Sequence, residues 1–165
     1  MESNYTTLFS NQSPNSFSSF SIVNDNVMGG MSQAILASDK VNNLVFNGSI
    51  STLNNGGFAS FRSQFGSIDV TDYNSINFKV KGDGKRYLFR LKTRISDDHS
   101  YVYYFNTTNN WQIVSIPFDK LFPRYRGIKL RMPNYLGEEL AEIGILIGNE
   151  RDESFSLKLK EIWLT

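Results

Sequence analysis

Short segments of alternating apolar and polar residues recur along this chain, and helical periodicity is nearly absent. Eight segments have this character: 44–50, 58–65, 76–81, 87–94, 101–105, 111–116, 143–147 and 155–164. Repeated short strands separated by turn residues are typical of an antiparallel sandwich or barrel. The chain is therefore predicted to be an all-β protein with at least eight strands in two sheets. Single helical turns are expected at 119–122 and 138–141.

The alternation also assigns side chains to the two faces of each predicted strand. The apolar faces are expected in the core, and their members are Phe78, Val80, Phe89, Leu91, Ile145, Ile147 and Trp163. If strands 76–81 and 87–94 pair, their opposite faces form one basic band, which Arg62 would extend. The band would consist of Lys79, Lys81, Arg90, Lys92 and Arg94. An ordinary solvated sheet face is the simpler interpretation of the same charges.

Composition limits the functions open to the chain. Its 165 residues, 40% of them hydrophobic, are expected to form a single domain over 1–165, with a polar loop at 10–19. Seventeen Lys and Arg against sixteen Asp and Glu give a net charge of +1, which provides no global basic field for nucleic acid or membranes. No run reaches the ~18 apolar residues of a membrane span. A cytoplasmic protein without membrane insertion is expected.

Residues that usually carry catalysis or bind metals are scarce. The chain has no cysteine, which excludes disulfides, thiolate nucleophiles and cysteine-ligated metals. His99, the one histidine, is predicted to be a turn residue and leaves little material for a triad or a histidine metal cluster. We therefore expect no catalytic residue, no metal and no cofactor, and a protein that is not an enzyme.

Three glycine loops follow one another along the chain. The first is Asn24-Asp25-Asn26-Val27-Met28-Gly29-Gly30, and the second is Asn54-Asn55-Gly56-Gly57, followed by Phe58-Ala59-Ser60-Phe61-Arg62. The third is Lys81-Gly82-Asp83-Gly84-Lys85-Arg86-Tyr87, which lacks the Walker spacing and is predicted to be a hairpin turn between strands 76–81 and 87–94. Paired glycines permit positive φ and close approach, and Asn and Asp tolerate left-handed backbone. The first loop is therefore suited to recognition or tight packing.

In this order the loops resemble the domain of the complex I intermediate-associated protein 30 family, whose motifs read roughly N-D-x-V-M-G-G, N-G-G-F-A-S-x-R and G-D-G-x-x-Y. Later counterparts are Trp111, Ile116-Pro117-Phe118, Pro123, Arg126-Gly127 and 143–147. The resemblance covers roughly residues 20 to 164. Two residues depart from it, since Phe20 stands where the family usually has Trp and Asn26 replaces Gly.

The resemblance implies a jelly-roll β-sandwich of the galactose-binding-like kind. It also implies a non-catalytic protein-interaction module, similar to an assembly factor or chaperone of respiratory complex I. The contact region for a protein partner is predicted at the first loop and the adjoining basic face. Its candidate residues are Asn24, Asp25, Met28, Gly29, Gly30, Arg62, Arg90 and Lys92. Structural roles in loops are predicted for Asn55, Gly56, Gly57, Gly82, Asp83, Gly84, Arg126 and Gly127.

Within the first loop, Asp25 is expected to form a bidentate pair with Arg62 and so fix the geometry that keeps Met28 accessible. Two other functions compete with protein binding. Jelly-rolls of this class often bind glycans on a concave face. Aromatic side chains that could stack on sugar rings are Tyr101, Tyr103, Tyr104, Trp111 and Tyr125, most of which are expected in the core. Local nucleic-acid binding through the basic band is the third function, and its affinity would fall steeply with salt.

Overall fold

The computed structural model describes residues 5–13, 20–24 and 30–165, and its description leaves out the side chains of Asn24 and Asn55. Within these ranges the chain forms thirteen strands and two single-turn 3-10 helices, at Leu53–Asn55 and Phe118–Lys120. The strands are β1 (Thr6–Ser10), β2 (Phe20–Asn24), β3 (Gln33–Ser38), β4 (Leu44–Ile50), β5 (Ala59–Asp69), β6 (Ser75–Lys81), β7 (Arg86–Lys92), β8 (Ser100–Asn106), β9 (Trp111–Pro117), β10 (Phe122–Tyr125), β11 (Ile128–Lys129), β12 (Glu139–Ile147) and β13 (Glu153–Leu164).

Two antiparallel sheets face each other. The first sheet has the order β3-β4-β13-β6-β9, with β1 also paired to β13, and the second has the order β11-β10-β8-β7-β12-β5-β2. Strands that are neighbours in the sheets are mostly distant in the chain, as the pairing of β12 with both β5 and β7 illustrates. The predicted all-β jelly-roll sandwich is confirmed.

The core fills the space between the sheets with aromatic and branched side chains. Phe78 of the first sheet stacks on Phe89 of the second, with ring centroids 5.4 Å apart. Phe46 and Phe61 meet edge to face across the same gap at 4.9 Å. All four side chains are buried, so the alternation in their strands is the pattern of a two-layer core.

Trp163 corrects the predicted core, since the other six predicted members are buried and this one is half-buried. Where β13 pairs with β6, a β-bulge lies between Leu159 and Glu161. The extra residue reverses the alternation, so that Leu159 faces the core before the bulge and Ile162 after it. Trp163 therefore lies on the outer face, where its ring stacks on that of Tyr5.

The third glycine loop is not a hairpin turn, because the strands on its two sides belong to different sheets. β6 pairs with β9 and β13, whereas β7 pairs with β8 and β12. Asp83 lies in the crossing and ties the sheets together. Its carboxylate accepts hydrogen bonds from the hydroxyl of Tyr87 in β7 at 3.0 Å and from the backbone N–H of Ser156 in β13 at 2.8 Å.

The crossing also corrects the predicted basic band. Lys79 and Lys81 lie on the outer face of the first sheet, and Arg90 and Lys92 lie on the outer face of the second. A sandwich places these two faces on opposite sides of the molecule. Arg62, in β5, shares the outer face of the second sheet with Arg90 and Lys92, so this part of the band remains together.

The predicted helical turns have mixed outcomes. The turn at 119–122 is a 3-10 turn that begins one residue earlier, at Phe118. Residues 138–141 instead lead into the strand β12, where Glu139 pairs with Asp69 of β5. In the predicted polar loop at 10–19, Ser10 ends β1 and residues 11–13 follow it, while 14–19 lie outside the described residues.

Candidate functional site

The outer face of the second sheet carries a cluster of arginines across five strands. We call it the arginine face and define it by Arg62, Arg86, Arg90, Lys92, Tyr104, Arg124 and Glu142, from β5, β7, β8, β10 and β12. Sheet register creates it, because Gly144 of β12 lies between Arg62 on one side and Arg90 on the other. Residues 52 and 80 positions apart in the chain thus meet around Glu142.

Glu142 lies at the buried centre of the arginine face and is 4% exposed. Arg90 donates from Nη1 to Oε2 of Glu142 at 3.0 Å, and Gln64 donates from Nε2 to the other carboxylate oxygen at 3.3 Å. The negative charge of this carboxylate also attracts the guanidinium group of Arg62. The carboxylate therefore bonds to one guanidinium group and attracts a second.

Burial lowers the pKa of both guanidinium groups. Burial, reinforced by the positive charge of Arg62, lowers the pKa of Arg90 to about 10, although Glu142 opposes the shift. Burial also lowers the pKa of Arg62, again against the attraction of Glu142. Both groups stay charged at neutral pH, so the centre of the arginine face holds two positive charges and one negative charge.

Gly144 makes room for these two arginines. A Cβ atom at this position would lie 2.5 Å from the backbone oxygen of Phe61, 3.2 Å from Cγ of Arg62 and 3.4 Å from Cγ of Arg90. The first distance is far below van der Waals contact. The missing side chain therefore lets β5 approach β12 and lets both arginine stems pass over the strand.

Tyr104 organises a second pair of arginines, at one end of the face. The guanidinium carbon of Arg86 lies 4.3 Å from the ring centroid of Tyr104, and that of Arg124 lies 5.7 Å from it. Arg124 also donates from Nη1 to the Tyr104 hydroxyl at 2.6 Å. These contacts hold both guanidinium groups on one ring by cation–π attraction. A shallow cleft here is also lined by Leu88, Leu146 and Asn149.

Positive charge on this face is largely uncompensated. Arg90 pairs with Glu142, but no carboxylate of the described residues forms an ion pair with Arg62, Arg86 or Arg124. The Nε atom of Arg62 is buried and has no hydrogen-bond partner among the residues that the structure describes. Chemically, the arrangement can bind anions and other hydrogen-bond acceptors. It offers no group of three or more metal-ligating side chains, a statement that holds for the described residues.

The structure brings together three of the predicted binding residues, Arg62, Arg90 and Lys92. Lys92 donates from Nζ to the backbone oxygen of Asp97 at 2.6 Å. Gly30 is buried ahead of β3, and Asn24 ends β2 opposite Ala59 of β5. Asp25, Met28 and Gly29 lie outside the described residues, so the pairing of Asp25 with Arg62 stays a prediction.

Four members of the arginine face were not among the residues predicted to contact a protein partner: Arg86, Tyr104, Arg124 and Glu142. Arg86 could have been found, since it alternates in phase with Arg90 and Lys92 along one segment. Glu142 and Arg124 become visible only through strand pairing. The alternation of β12 does not say which strands flank it, and β10 is too short to show a pattern.

The predicted structural loops contain several backbone conformations that glycine favours. Positive φ angles occur at Gly57, Gly84 and Gly127, and at the non-glycine Arg126. Arg126 and Gly127 are the two turn residues between β10 and β11, because Tyr125 pairs with Ile128. Two successive positive φ angles of 48° and 81° are those of a type I′ hairpin turn. Gly56 and Asn55 lie at the end of the 3-10 turn before β5.

The aromatic residues proposed as a sugar platform are separated in the fold. Tyr101 is buried, and Tyr103 packs against the core from its edge. Tyr104 and Tyr125 are each 37% exposed, and a guanidinium group lies over the ring of each. Trp111 lies in the other sheet, with the ammonium of Lys160 over its ring. The candidates therefore do not form one coplanar surface.

Across the described parts of the chain, no helix is long and apolar enough to cross a membrane.

His99 lies in the connection between β7 and β8, edge-on to the ring of Tyr101 at 5.2 Å. It borders a second cleft, which Tyr135, Met132 and Leu136 also line.

Solved structures similar to this fold include carbohydrate-binding modules. The family 11 carbohydrate-binding module of a cellulosomal cellulase from Clostridium thermocellum matches with a TM-score of 0.64 and 15% identity, over 88% of this chain and 86% of the other. A family 29 carbohydrate-binding module matches with a TM-score of 0.59 and 13% identity, over 99% and 89% of the two chains. At such identities the likeness concerns the fold alone.

Comparison of sequences distinguishes between families that share this fold. The mitochondrial complex I intermediate-associated protein 30 of Drosophila melanogaster is 39% identical over 67 residues, which are 37% of this chain and 23% of that protein. The match thus spans about a quarter of that relative's length. The model of the family described as complex I intermediate-associated protein 30 (CIA30) matches residues 9–159. A match over nearly the whole chain, including all three glycine loops, shows that this protein belongs to the CIA30 family.

Proposed function

We propose that this chain is a non-catalytic protein-interaction module that assists the assembly of a multi-subunit complex, with respiratory complex I as the specific candidate. Membership of the CIA30 family and the name of the Drosophila relative support the assembly role. The observation that carries the proposal is the arginine face, a cluster of cations on a rigid sheet with a single buried carboxylate at its centre.

The composition of this surface suits a protein partner. Arginine and tyrosine are enriched in the few interface residues that contribute most to binding, and here both are positioned by strands rather than loops. Leu88 and Leu146 provide apolar contact area beside Tyr104 in the same cleft. The first glycine loop follows β2, which pairs with β5 beside Arg62. Asp25, Met28 and Gly29 therefore remain part of the proposed contact region.

Carbohydrate binding is the second candidate function, favoured by the fold. One of the structurally similar family 11 modules is a complex with a mixed-linked β-1,3-1,4 tetrasaccharide, at a TM-score of 0.61. Against this candidate, the exposed tyrosines of the present chain already stack with arginine side chains. Calorimetric titration with that tetrasaccharide separates the two functions, since the protein-interaction proposal predicts no measurable heat of binding.

Co-purification from the organism's own cells tests the proposed function. The tagged protein is crosslinked, purified and analysed by mass spectrometry beside two double variants. Arg86→Ala with Arg124→Ala removes two cations from the arginine face, and Lys79→Ala with Lys81→Ala removes two from the opposite sheet. Complex I subunits are expected with the wild type and the lysine variant and not with the arginine variant. Recovery of no complex I subunit by the wild type would contradict the assembly role.

A non-catalytic module should also show no turnover. Purified protein screened on glycosides, esters and phosphoesters is expected to give background rates, because no nucleophile–base pairing is recognisable in the sequence. Turnover that a single Asp or Glu substitution abolishes would contradict this part of the proposal.

A further inference from the structure

The arginine face has a local excess of positive charge. Its five cations, Arg62, Arg86, Arg90, Lys92 and Arg124, surround one carboxylate, although the whole sequence has a net charge of only +1. Elsewhere, Lys85, Arg94, Arg151 and Lys158 each form an ion pair with a nearby carboxylate. Three arginines without an ion pair among the described residues, Arg62, Arg86 and Arg124, therefore lie together on one sheet face.

Arg62 has hydrogen-bonding capacity that the described residues do not use. Its Nε is buried and has no hydrogen-bond partner among those residues, whereas the neighbouring Arg90 donates to Glu142. Buried donors in proteins nearly always have an acceptor, and a guanidinium group preferentially finds it in a carboxylate or phosphate. Among the described residues, the side chains that donate to Glu142 are Arg90 and Gln64, so the donors of Arg62 remain open to a further acceptor.

We infer that the arginine face binds an extended segment of a protein partner whose aspartate or glutamate side chains occupy the two arginine clusters. This inference rests on the proposed function and names the chemistry of the partner. The clusters are the pair Arg62 and Arg90, and the pair Arg86 and Arg124 on Tyr104. Both pairs present planar guanidinium groups, which bind carboxylates through two parallel hydrogen bonds.

The spacing of the clusters predicts the spacing of the acidic side chains. Arg86 and Arg90 are four residues apart on β7, which corresponds to about 13 Å along a strand. In an extended partner segment, side chains four residues apart point the same way at the same distance. Carboxylates at positions i and i+4 therefore match both clusters. Leu88 lies between them on the same face of β7 but is buried, so the half-buried Leu146 beside it in the cleft is the apolar contact for a residue at i+2.

Other anionic partners fit less well. A neutral glycan does not need several uncompensated cations. Nucleic acid is attracted by an extended basic field, and a net charge of +1 does not create one. The apolar side chains of Leu88 and Leu146, beside the Tyr104 ring, match a peptide better than a sugar–phosphate backbone.

A titration followed by ¹H–¹⁵N NMR on the full chain tests the inference. The probe is a capped peptide, Gly-Glu-Ser-Val-Ser-Glu-Gly, which carries glutamates four residues apart around a valine. Its matched control replaces both glutamates by glutamine. Chemical-shift changes are expected at 60–64, 86–92, 102–104 and 142–146. The glutamine peptide should bind about a hundredfold more weakly, as expected for the loss of two well-formed charged pairs at about tenfold each.

Paired variants make the result specific. The double variant Arg86→Ala with Arg124→Ala removes two side chains that are partly exposed and outside the core. It should bind the glutamate peptide about tenfold more weakly than the wild type. Lys79→Ala with Lys81→Ala should leave its affinity within about twofold. Equal binding of both peptides, shifts elsewhere on the molecule, or no binding at millimolar concentration would overturn the inference. Tighter binding of octathymidylate or trigalacturonate at the same residues would overturn it in favour of nucleic acid or acidic glycan.

Failure of this inference differs from failure of the proposed function. If the glutamate peptide binds at the arginine face but complex I subunits do not co-purify, the assembly role fails and the inference stands. If complex I subunits co-purify equally well with the Arg86 and Arg124 variant, the inference fails and the assembly role stands.

Discussion

At the residue scale, the most consequential position is Glu142, because its carboxylate is the one negative charge between two partly buried guanidinium groups. Replacing such a carboxylate leaves buried positive charge uncompensated, which costs more than the pair itself contributes. The residue also shapes the proposed binding face, since it holds Arg90 and forms no hydrogen bond with Nε of Arg62.

Glu142→Gln should therefore lower the free energy of unfolding by about 3 kcal/mol. Glu139→Gln is the matched control, because Glu139 pairs with Arg94 at 3.7 Å in a solvent-exposed setting. Such a pair contributes at most about 1 kcal/mol. Urea unfolding at pH 7 measures both changes. Equal and small decreases in the free energy of unfolding of the two variants would show that Glu142 does not compensate the positive charge of the arginines.

Tyr87 gives a second residue-scale prediction, in alkaline solution. Burial, reinforced by the charge of Asp83 and the hydrogen bond to it, raises the pKa of Tyr87 above the ordinary tyrosine value. The unfolded chain therefore loses this proton near pH 10 while the folded protein keeps it. Stability is fully present below pH 10 and declines as the pH rises further, by about 1.4 kcal/mol per pH unit for this one group.

Tyr87→Phe should remove one proton from this dependence, and it should cost about 1 kcal/mol at pH 7 through the lost hydrogen bond to Asp83. Urea unfolding at pH 9, 10 and 11 compares the variant with the wild type. If the two unfolding free energies decline in parallel above pH 10, Tyr87 is not the group responsible.

At the element scale, strand β12 holds the arginine face together because it lies between β5 and β7. Gly144 at its centre allows the close approach of the neighbouring backbone. The same strand also contributes Ile143 and Ile145 to the core, so a distortion of its outer face is transmitted to the packing between the sheets.

Gly144→Ala should consequently destabilise the fold by about 1 to 3 kcal/mol, since the new methyl group overlaps the backbone oxygen of Phe61. Gly84→Ala is the control, because a Cβ there meets open space and only the positive φ of 83° disfavours alanine. That strain is about 1 to 2 kcal/mol. The midpoints of thermal unfolding compare the stability lost in the two variants. NMR shifts of Arg62 and Arg90 side chains should change in the Gly144 variant alone.

Alternation predicted the long strands well, because burial of one face imposes a period of two. It did not reveal β1, β2, β3, β10 and β11. β3 is exposed or half-buried throughout, and β10 contains Pro123, so their strand conformation follows from pairing with a neighbour. The positions of Trp163 after the bulge in β13 and of the crossing at Asp83 were mispredicted, because both depend on pairing with distant strands. An Asp-Gly pair fits a hairpin and a crossing alike, and the distant partner Ser156 decides between them.

The candidate site was predictable to a similar extent. Alternation placed Arg90 and Lys92 on one outward face, and the family motif pointed to Arg62. Glu142 and Tyr104 required knowledge of which strands are neighbours, and that information is set by tertiary packing over many residues. The predicted location in the cytoplasm remains a prediction, beside a relative that is named as mitochondrial.

At the scale of the whole molecule, the two sides of the sandwich differ in chemistry. The outer face of the second sheet concentrates uncompensated arginines, while Lys79 and Lys81 lie apart from them on the first sheet. The central claim is therefore that partners engage the second sheet.

Hydrogen–deuterium exchange of the chain alone and in complex with a co-purified partner tests this claim most directly. The account predicts slower exchange on binding in peptides that cover 60–64, 86–92, 102–104 and 142–146. Peptides that cover the first sheet, at 33–38, 44–50 and 111–117, should exchange at the same rate in both states. Protection confined to the first sheet, with the second sheet unchanged, would contradict the account.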